Sequence, residues 1–229
     1  YQRTTLNPLN QIASQTLEPS TVLRFLDNLS KVIQHTGKYL DTFGWSSFIE
    51  ICSIMINNNS EKTFDLVKLI LNDYNVFLTP YNIIPNLSLL GTFALYENDS
   101  NICFSAIELF SSCANLTENF QKKKIELTQY QKEVLEECNS TDKSKEIFFN
   151  EIWKHIFFKL TNINLDERSE VKKSGINVFT DIFISKIDNI SFENRIFIIN
   201  EIFIKMFRTN SNKYIECVKN KKEKTEEKK

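Results

Sequence analysis

Glycine and proline are scarce, with four of each in 229 residues, against averages near ~7% and ~5%. β-Rich folds and α/β enzymes draw on glycine for tight turns and phosphate-binding loops. So few of either residue argues for long helices joined by short polar turns. Charge of one sign is also missing. Lys and Arg total 28 and Asp and Glu 29, a net charge of −1, whereas a dedicated nucleic-acid binder carries a strongly basic domain. We therefore expect no nucleic-acid partner. Only two histidines occur, and the five cysteines (Cys52, Cys103, Cys113, Cys138, Cys217) are widely spaced with no CxxC pair. That pattern gives neither a zinc site nor a disulfide framework, and it suits reduced thiols in a cytosolic setting. No apolar run approaches the ~20 residues that a membrane-spanning helix needs, and no signal peptide is visible.

What the chain has in quantity is apolar residues, 41% of the total with 19 Phe, at helical spacing. Pro19 and Ser20 lead into Val22, Leu23, Phe25, Leu26, Leu29, Val32 and Ile33, an i, i+3, i+4, i+7 stripe. Ser20 is expected to cap it, with Gly37 as a left-handed closing residue. Further stripes follow: Trp45 to Ile56, then Phe64 to Tyr74 with Ser60 as cap, Leu87 to Ala94 after Pro80 and Pro85, and Ile102 to Cys113. After a polar interval the pattern resumes with Ile147 to Leu160, Val171 to Phe183, Phe192 to Met206, and a short stretch around Tyr214 to Val218. Residues 1–18 show weak periodicity and read as a loose lead-in.

About nine or ten helices starting every ~20 residues make helix pairs near the ~40-residue period of HEAT and armadillo units. The expected fold is all-α, an α-solenoid of HEAT/armadillo-like helix pairs. Residues 1–116 form a first helical-repeat block, 117–145 a charged helix or loop connector, 146–218 a second helical-repeat block, and 219–229 a charged tail. Since the first residue is Tyr1 rather than Met, the expectation is a segment of a larger intracellular protein.

Three segments carry a family resemblance. They are Asn101-Ile102-Cys103-Phe104-Ser105-Ala106-Ile107-Glu108-Leu109-Phe110; Trp153 through Leu160 leading into Asp166-Glu167-Arg168-Ser169-Glu170-Val171-Lys172-Lys173-Ser174-Gly175; and Gly44-Trp45 after the helix ending at Gly37. In order and spacing they resemble the MON-two family, relatives of the large Arf guanine-nucleotide exchange factors that lack the exchange domain. Gly175 departs from the alanine usual there. The resemblance spans about residues 20–207. It implies a non-catalytic scaffold, cytoplasmic and peripheral at trans-Golgi network and endosome membranes, acting in retrograde vesicle transport. Its implied partners are a Dopey-family protein, an Arf-like small GTPase and a phospholipid flippase. Two other readings stay open: the regulatory region downstream of the catalytic domain in a large Arf exchange factor, and a HEAT-type transport receptor or complex subunit. A homodimer is also open.

Candidate site residues are few. Asp166 and Arg168 are expected to brace neighbouring repeats; the helix-start acids otherwise suit the positive dipole end. Lys122, Lys123, Lys124, Lys221 and Lys222 are candidate membrane or partner contacts, since each lysine near an anionic leaflet adds ~1 kcal/mol. The Glu interleaved in the tail favour a solvated surface instead, so any membrane contact would be weak. His35 and His155 have no nucleophile at a recognisable spacing. No catalytic, cofactor-binding or metal-ligating residue is assigned, and no enzyme activity or cofactor is expected. The Phe-rich helices 147–160 and 176–207 are apolar on more than one face, which favours burial inside the array or cover by a partner.

Overall fold

The structure, a computed structural model, describes residues 2–96, 98–122, 142–209 and 211, with the side chains of 142–145 excepted. Among these residues the chain is helical with no strand. The helices are α1 (Gln2–Ala13), α2 (Pro19–Thr36), α3 (Thr42–Met55), α4 (Ser60–Asp73), α5 (Pro80–Ala94), α6 (Ser100–Gln121), α7 (Asp142–Ile163), α8 (Ser169–Lys186) and α9 (Phe192–Phe197), the last running on through a π-turn at Ile198–Phe203 into residues 204–209. Lys123, Lys124, Lys221, Lys222, the stretch around Tyr214 to Val218 and the whole of 219–229 lie outside the described residues.

Each helix packs on the helix two positions further along the chain. α1 lies on α3, α3 on α5, α5 on α7 and α7 on the π-turn segment of α9, while α2 lies on α4, α4 on α6 and α6 on α8. The two layers face each other through the pairs α3–α4, α5–α6 and α7–α8. This is the packing of an α-solenoid built from HEAT/armadillo-like pairs. The core runs between the layers, with Trp45, Phe48, Phe93, Phe110, Phe120, Phe149, Trp153, Phe157 and Phe179 almost fully enclosed.

Local chemistry sets the helix starts. The Asp41 carboxylate accepts from the Gly44 amide at 2.7 Å, Asn59 from the Lys62 amide at 2.9 Å, Asp99 from Asn101 and Ile102, and Ser191 from Asn194. These satisfy the orphan donors of the first turn. Several sequence expectations are corrected here. Ser60 is the first residue of its helix, capped by Asn59, and Ser20 gives no cap, since α2 starts at Pro19. The lead-in is helix α1. Gly37 is right-handed (φ −52°), so its role is space: a Cβ there would stand 2.5 Å from the Tyr74 ring.

Three connections from the second layer back to the first, those among the described residues, share one form. Three-residue 3-10 turns at Gly37–Tyr39, Asn75–Phe77 and Ile187–Asn189 each lead to an extended apolar residue (Leu40, Leu78, Ile190) and then to the cap of the next helix (Asp41, Thr79, Ser191). At two of them the third helical residue is a buried asparagine that ties consecutive first-layer helices together. Asn82 Nδ2 donates to the Thr42 carbonyl at 3.0 Å, and Asn194 Nδ2 to the Asn150 carbonyl at 3.2 Å. The segments Leu78-Thr79-Pro80-Tyr81-Asn82 and Ile190-Ser191-Phe192-Glu193-Asn194 are thus the same piece of the repeat.

A candidate protein-binding face

The turns between repeats are held by polar groups. Asp166 Oδ1 accepts from the Arg168 amide at 2.8 Å and from Nε at 3.0 Å, and Oδ2 accepts from Nη2 at 2.9 Å. With its guanidinium so oriented, Arg168 donates through Nη1 to the Tyr96 carbonyl, 2.9 Å away and one repeat earlier, and approaches Cys103 Sγ at 3.5 Å. Arg168 holds the Asp166 carboxyl below its usual range. The Cys103 thiol, pushed up by burial, itself donates to the same Tyr96 carbonyl. Asp166 and Arg168 therefore sit together at the junction of two pairs. Lys172, the nearest of the basic residues that follow, lies one helical turn beyond Arg168, and its charge favours the same Asp166 carboxylate.

A second junction was not apparent from the sequence. Glu118, near the end of α6, takes hydrogen bonds from Lys122 at 2.6 Å, from Lys186 of α8 and from Asn189 Nδ2 at 3.2 Å. These donors, the lysines first, lower its carboxyl from 4.5 to about 2. Beside it Gln121 Nε2 donates to the Asn189 carbonyl at 3.0 Å, and its Oε1 accepts from Trp153 Nε1 at 3.0 Å. Lys122 is thus engaged with Glu118, although it remains exposed.

On this frame the outer face of the first layer carries two recesses that flank the same stripe of α7. One, about 570 Å³, lies between α5 and α7 and is lined by Gly91, Thr92, Tyr96, Lys159 and Asn162. Gly91 brings the helices close there, with the place of its absent Cβ 3.1 Å from Lys159 Cδ. The other, about 410 Å³, lies between α7 and α9 and is lined by Glu151, Lys154, His155, Phe158, Phe197 and Glu201. Phe158 is 56% exposed and Phe197 40%. Lys154 pairs with Glu151 at 2.7 Å and lies 5.3 Å above the Phe197 ring. Here burial inside the array, expected for the Phe-rich helices, is only part of the outcome. Phe149, Phe157 and Phe179 are interior, whereas Phe158, Phe192, Phe197 and Phe207 face outward.

The chemistry of this face suits recognition. Protruding rings beside concave floors, with paired charges at the rim, offer aromatic anchors and register-setting polar groups. His155 Nδ1 stands 2.9 Å from the Glu151 carbonyl of its own helix, and His35 is exposed at the end of α2. Among the described residues no three His, Cys, Asp or Glu gather as a metal site would require, and no helix is long and apolar enough to cross a membrane. Cys52 and Cys113 are enclosed, and burial pushes both thiols up to about 12.

The glycine at position 175 has a local cause. A Cβ there would lie 2.4 Å from Oδ1 of the buried Asn164, whose Nδ2 turns to Met206 Sδ at 3.1 Å. No protein-family profile, curated protein or solved structure matches the chain.

Proposed function

We propose that the chain is a non-catalytic helical-repeat scaffold segment that binds protein partners through the outer face of its first layer. The observation that carries this reading is the pair of recesses on either side of α7, with Phe158 and Phe197 exposed between charged rims. Solvent-exposed Phe is costly to keep unless something covers it, since each ring offers on the order of 150–250 Å² for burial. The polar locks at Arg168 and Glu118 hold the helices that carry those rings in fixed register, which limits the ordering cost of binding.

The cellular setting we propose is the cytoplasmic side of trans-Golgi network and endosome membranes, in retrograde vesicle transport. A Dopey-family protein, an Arf-like small GTPase and a flippase are the partners. That setting rests on the three segments resembling the MON-two family. The test is direct binding of the purified chain to a Dopey-family protein and to a GTP-loaded Arf-like protein, with Phe158→Asp and Phe197→Asp compared at unchanged helicity. The expected result is binding lost by tenfold or more, on the order of the ~1–2 kcal/mol carried by one exposed aromatic anchor. Binding that both variants retain would remove the face from the mechanism, and no binding to either protein would remove the setting.

A further inference from the structure

The far side of α9 carries a feature that the binding face does not use. Along this helix Asn194, Ile198, Ile202 and Met206 are buried against the array. A second apolar stripe, Phe192, Ile196, Ile199, Phe203, Ile204 and Phe207, stays exposed at 36% to 73%. The helix passes through a π-turn at Ile198–Phe203, whose wider turn keeps the buried residues, spaced four apart, on the side of the array. Glu201 and Lys205 point instead to the groove with α7. The opposite end of the array also exposes apolar side chains, Ile12, Leu23 and Val32 at 38% to 39% and, at the turn that follows, Tyr39 at 68% and Phe43 at 54%.

We propose that this stripe joins a second copy of the chain, with α9 packed antiparallel on its symmetry mate. Three observations favour a second copy as the occupant. The first is area. The six side chains present roughly 550 Å², a small interface beside the ~800 Å² per partner of a standard one, and a patch of this size is at the upper end for a monomer. The second is self-complementarity. A two-fold axis near Ile199 and Asn200 sets Phe192 against Phe207 of the mate and Ile196 against Phe203, so large side chains meet large ones along the whole helix. The third is charge. The same axis brings Glu193, at the start of the helix, beside Arg208 of the mate, and each pair occurs twice. The remaining charged group at this edge, Arg195, is turned inward, with Nε donating to the Ile190 carbonyl at 2.7 Å.

The interface uses the fold alone and is independent of the trafficking setting and of the groove at Phe158. The experiment is light-scattering chromatography of the full chain at tens of micromolar. Wild type should elute as a dimer, and Ile199→Glu with Phe207→Glu as a monomer of unchanged helicity. Glu193→Lys alone should weaken the dimer about tenfold, and Glu193→Lys with Arg208→Glu should restore it, a rescue that loss of folding cannot mimic. Under mild oxidation Asn200→Cys, next to the axis, should cross-link more than wild type, whereas Phe207→Cys should not. A monomeric wild type, a dimer that survives the double Glu substitution, or equal cross-linking at the two positions would each overturn the proposal.

Discussion

Protonating Glu118 should loosen the second layer where α8 docks on α6. In the folded chain this carboxylate binds Lys122, Lys186 and Asn189, and its pKa falls from 4.5 to about 2. Taken at ~1.36 kcal/mol per unit, the shift corresponds to roughly 3 kcal/mol of stability. The carboxylate and Lys186 keep contact with water, each 17% exposed, so screening brings the expected value to about 1–2 kcal/mol. Because the folded pKa lies below the ordinary value, the contribution is complete above about pH 4.5 and is lost as pH falls toward 2. Urea unfolding of wild type and Glu118→Gln, followed by circular dichroism, isolates the effect, since the other carboxylates cancel in the difference. The variant should be less stable by about 1–2 kcal/mol near neutral pH, by the same amount near pH 5, and by roughly half or less near pH 3. Trp153, bonded to Gln121 next to Glu118, gives a local fluorescence readout of the same change. A gap that stays constant from neutral to acid, or no gap at neutral pH, would refute the linkage.

Arg168→Lys should destabilise the chain by about 1–2 kcal/mol in urea despite keeping the charge. An ammonium cannot hold both Asp166 oxygens and the Tyr96 carbonyl at once; equal midpoints would refute this. Gly37→Ala should cost about 1–3 kcal/mol by pushing the Tyr74 ring off Trp45, now 5.7 Å between centroids. The loss should appear as a changed near-ultraviolet spectrum as well as a lower melting temperature. Asn82→Ala should cost about 1–3 kcal/mol in thermal unfolding, because the Thr79 amide loses its acceptor inside the core and the tie to the Thr42 carbonyl is broken. Cys52 and Cys113, held up to about 12, should resist thiol reagents in the native chain and react on unfolding, as peptide mass spectrometry would show.

The helices were legible because burial repeats at the helical period, and Trp45 to Ile56 or Ile102 to Cys113 could hardly be placed otherwise. The N-terminal helix was harder to see. Gln2–Ala13 has Pro8 inside it and a single fully buried residue, Ala13. What holds its start is Gln2, which receives the Asp41 amide at 2.9 Å and donates to the Tyr39 carbonyl at 2.9 Å. Such a contact across 37 to 39 residues leaves no local pattern. The pairing of Asp166 with Arg168 could be placed from the helix-start chemistry, but the Tyr96 carbonyl and Cys103 as its targets depend on packing. The Glu118 junction is hidden for the same reason, its partners Lys186 and Asn189 being 68 and 71 residues away. One missed signal was present in the sequence. Leu78-Thr79-x-x-Asn82 and Ile190-Ser191-x-x-Asn194 repeat an apolar residue, a cap and a buried amide, and that short pattern marks where a first-layer helix begins.

Hydrogen-bond spacing shows how the chain tolerates its polar interval. Within the first block, contacts between successive repeats join residues about 40 apart: 40 for Asn82 to Thr42, 40 for Tyr74 to Gln34, 35 for Lys62 to Asp27. Within the second block they do so again, 44 for Asn194 to Asn150 and 42 for Asn164 to Met206. Between the blocks the same kind of contact joins residues about 70 apart, 72 for Arg168 to Tyr96 and 68 for Lys186 to Glu118. The excess at this junction is about 30 residues. Two of the strongest polar locks, those of Arg168 and Glu118, fall at this junction. They hold α7 and α8 on α5 and α6 across the interval, so that the recess beside Gly91 and the groove beside Phe197 lie on one continuous surface. Breaking both locks at once, with Arg168→Leu and Glu118→Gln, should therefore split a single unfolding transition into two, the second block melting first. A lower but still single transition would show that the apolar contacts of Trp153 and Phe157 are enough to couple the blocks.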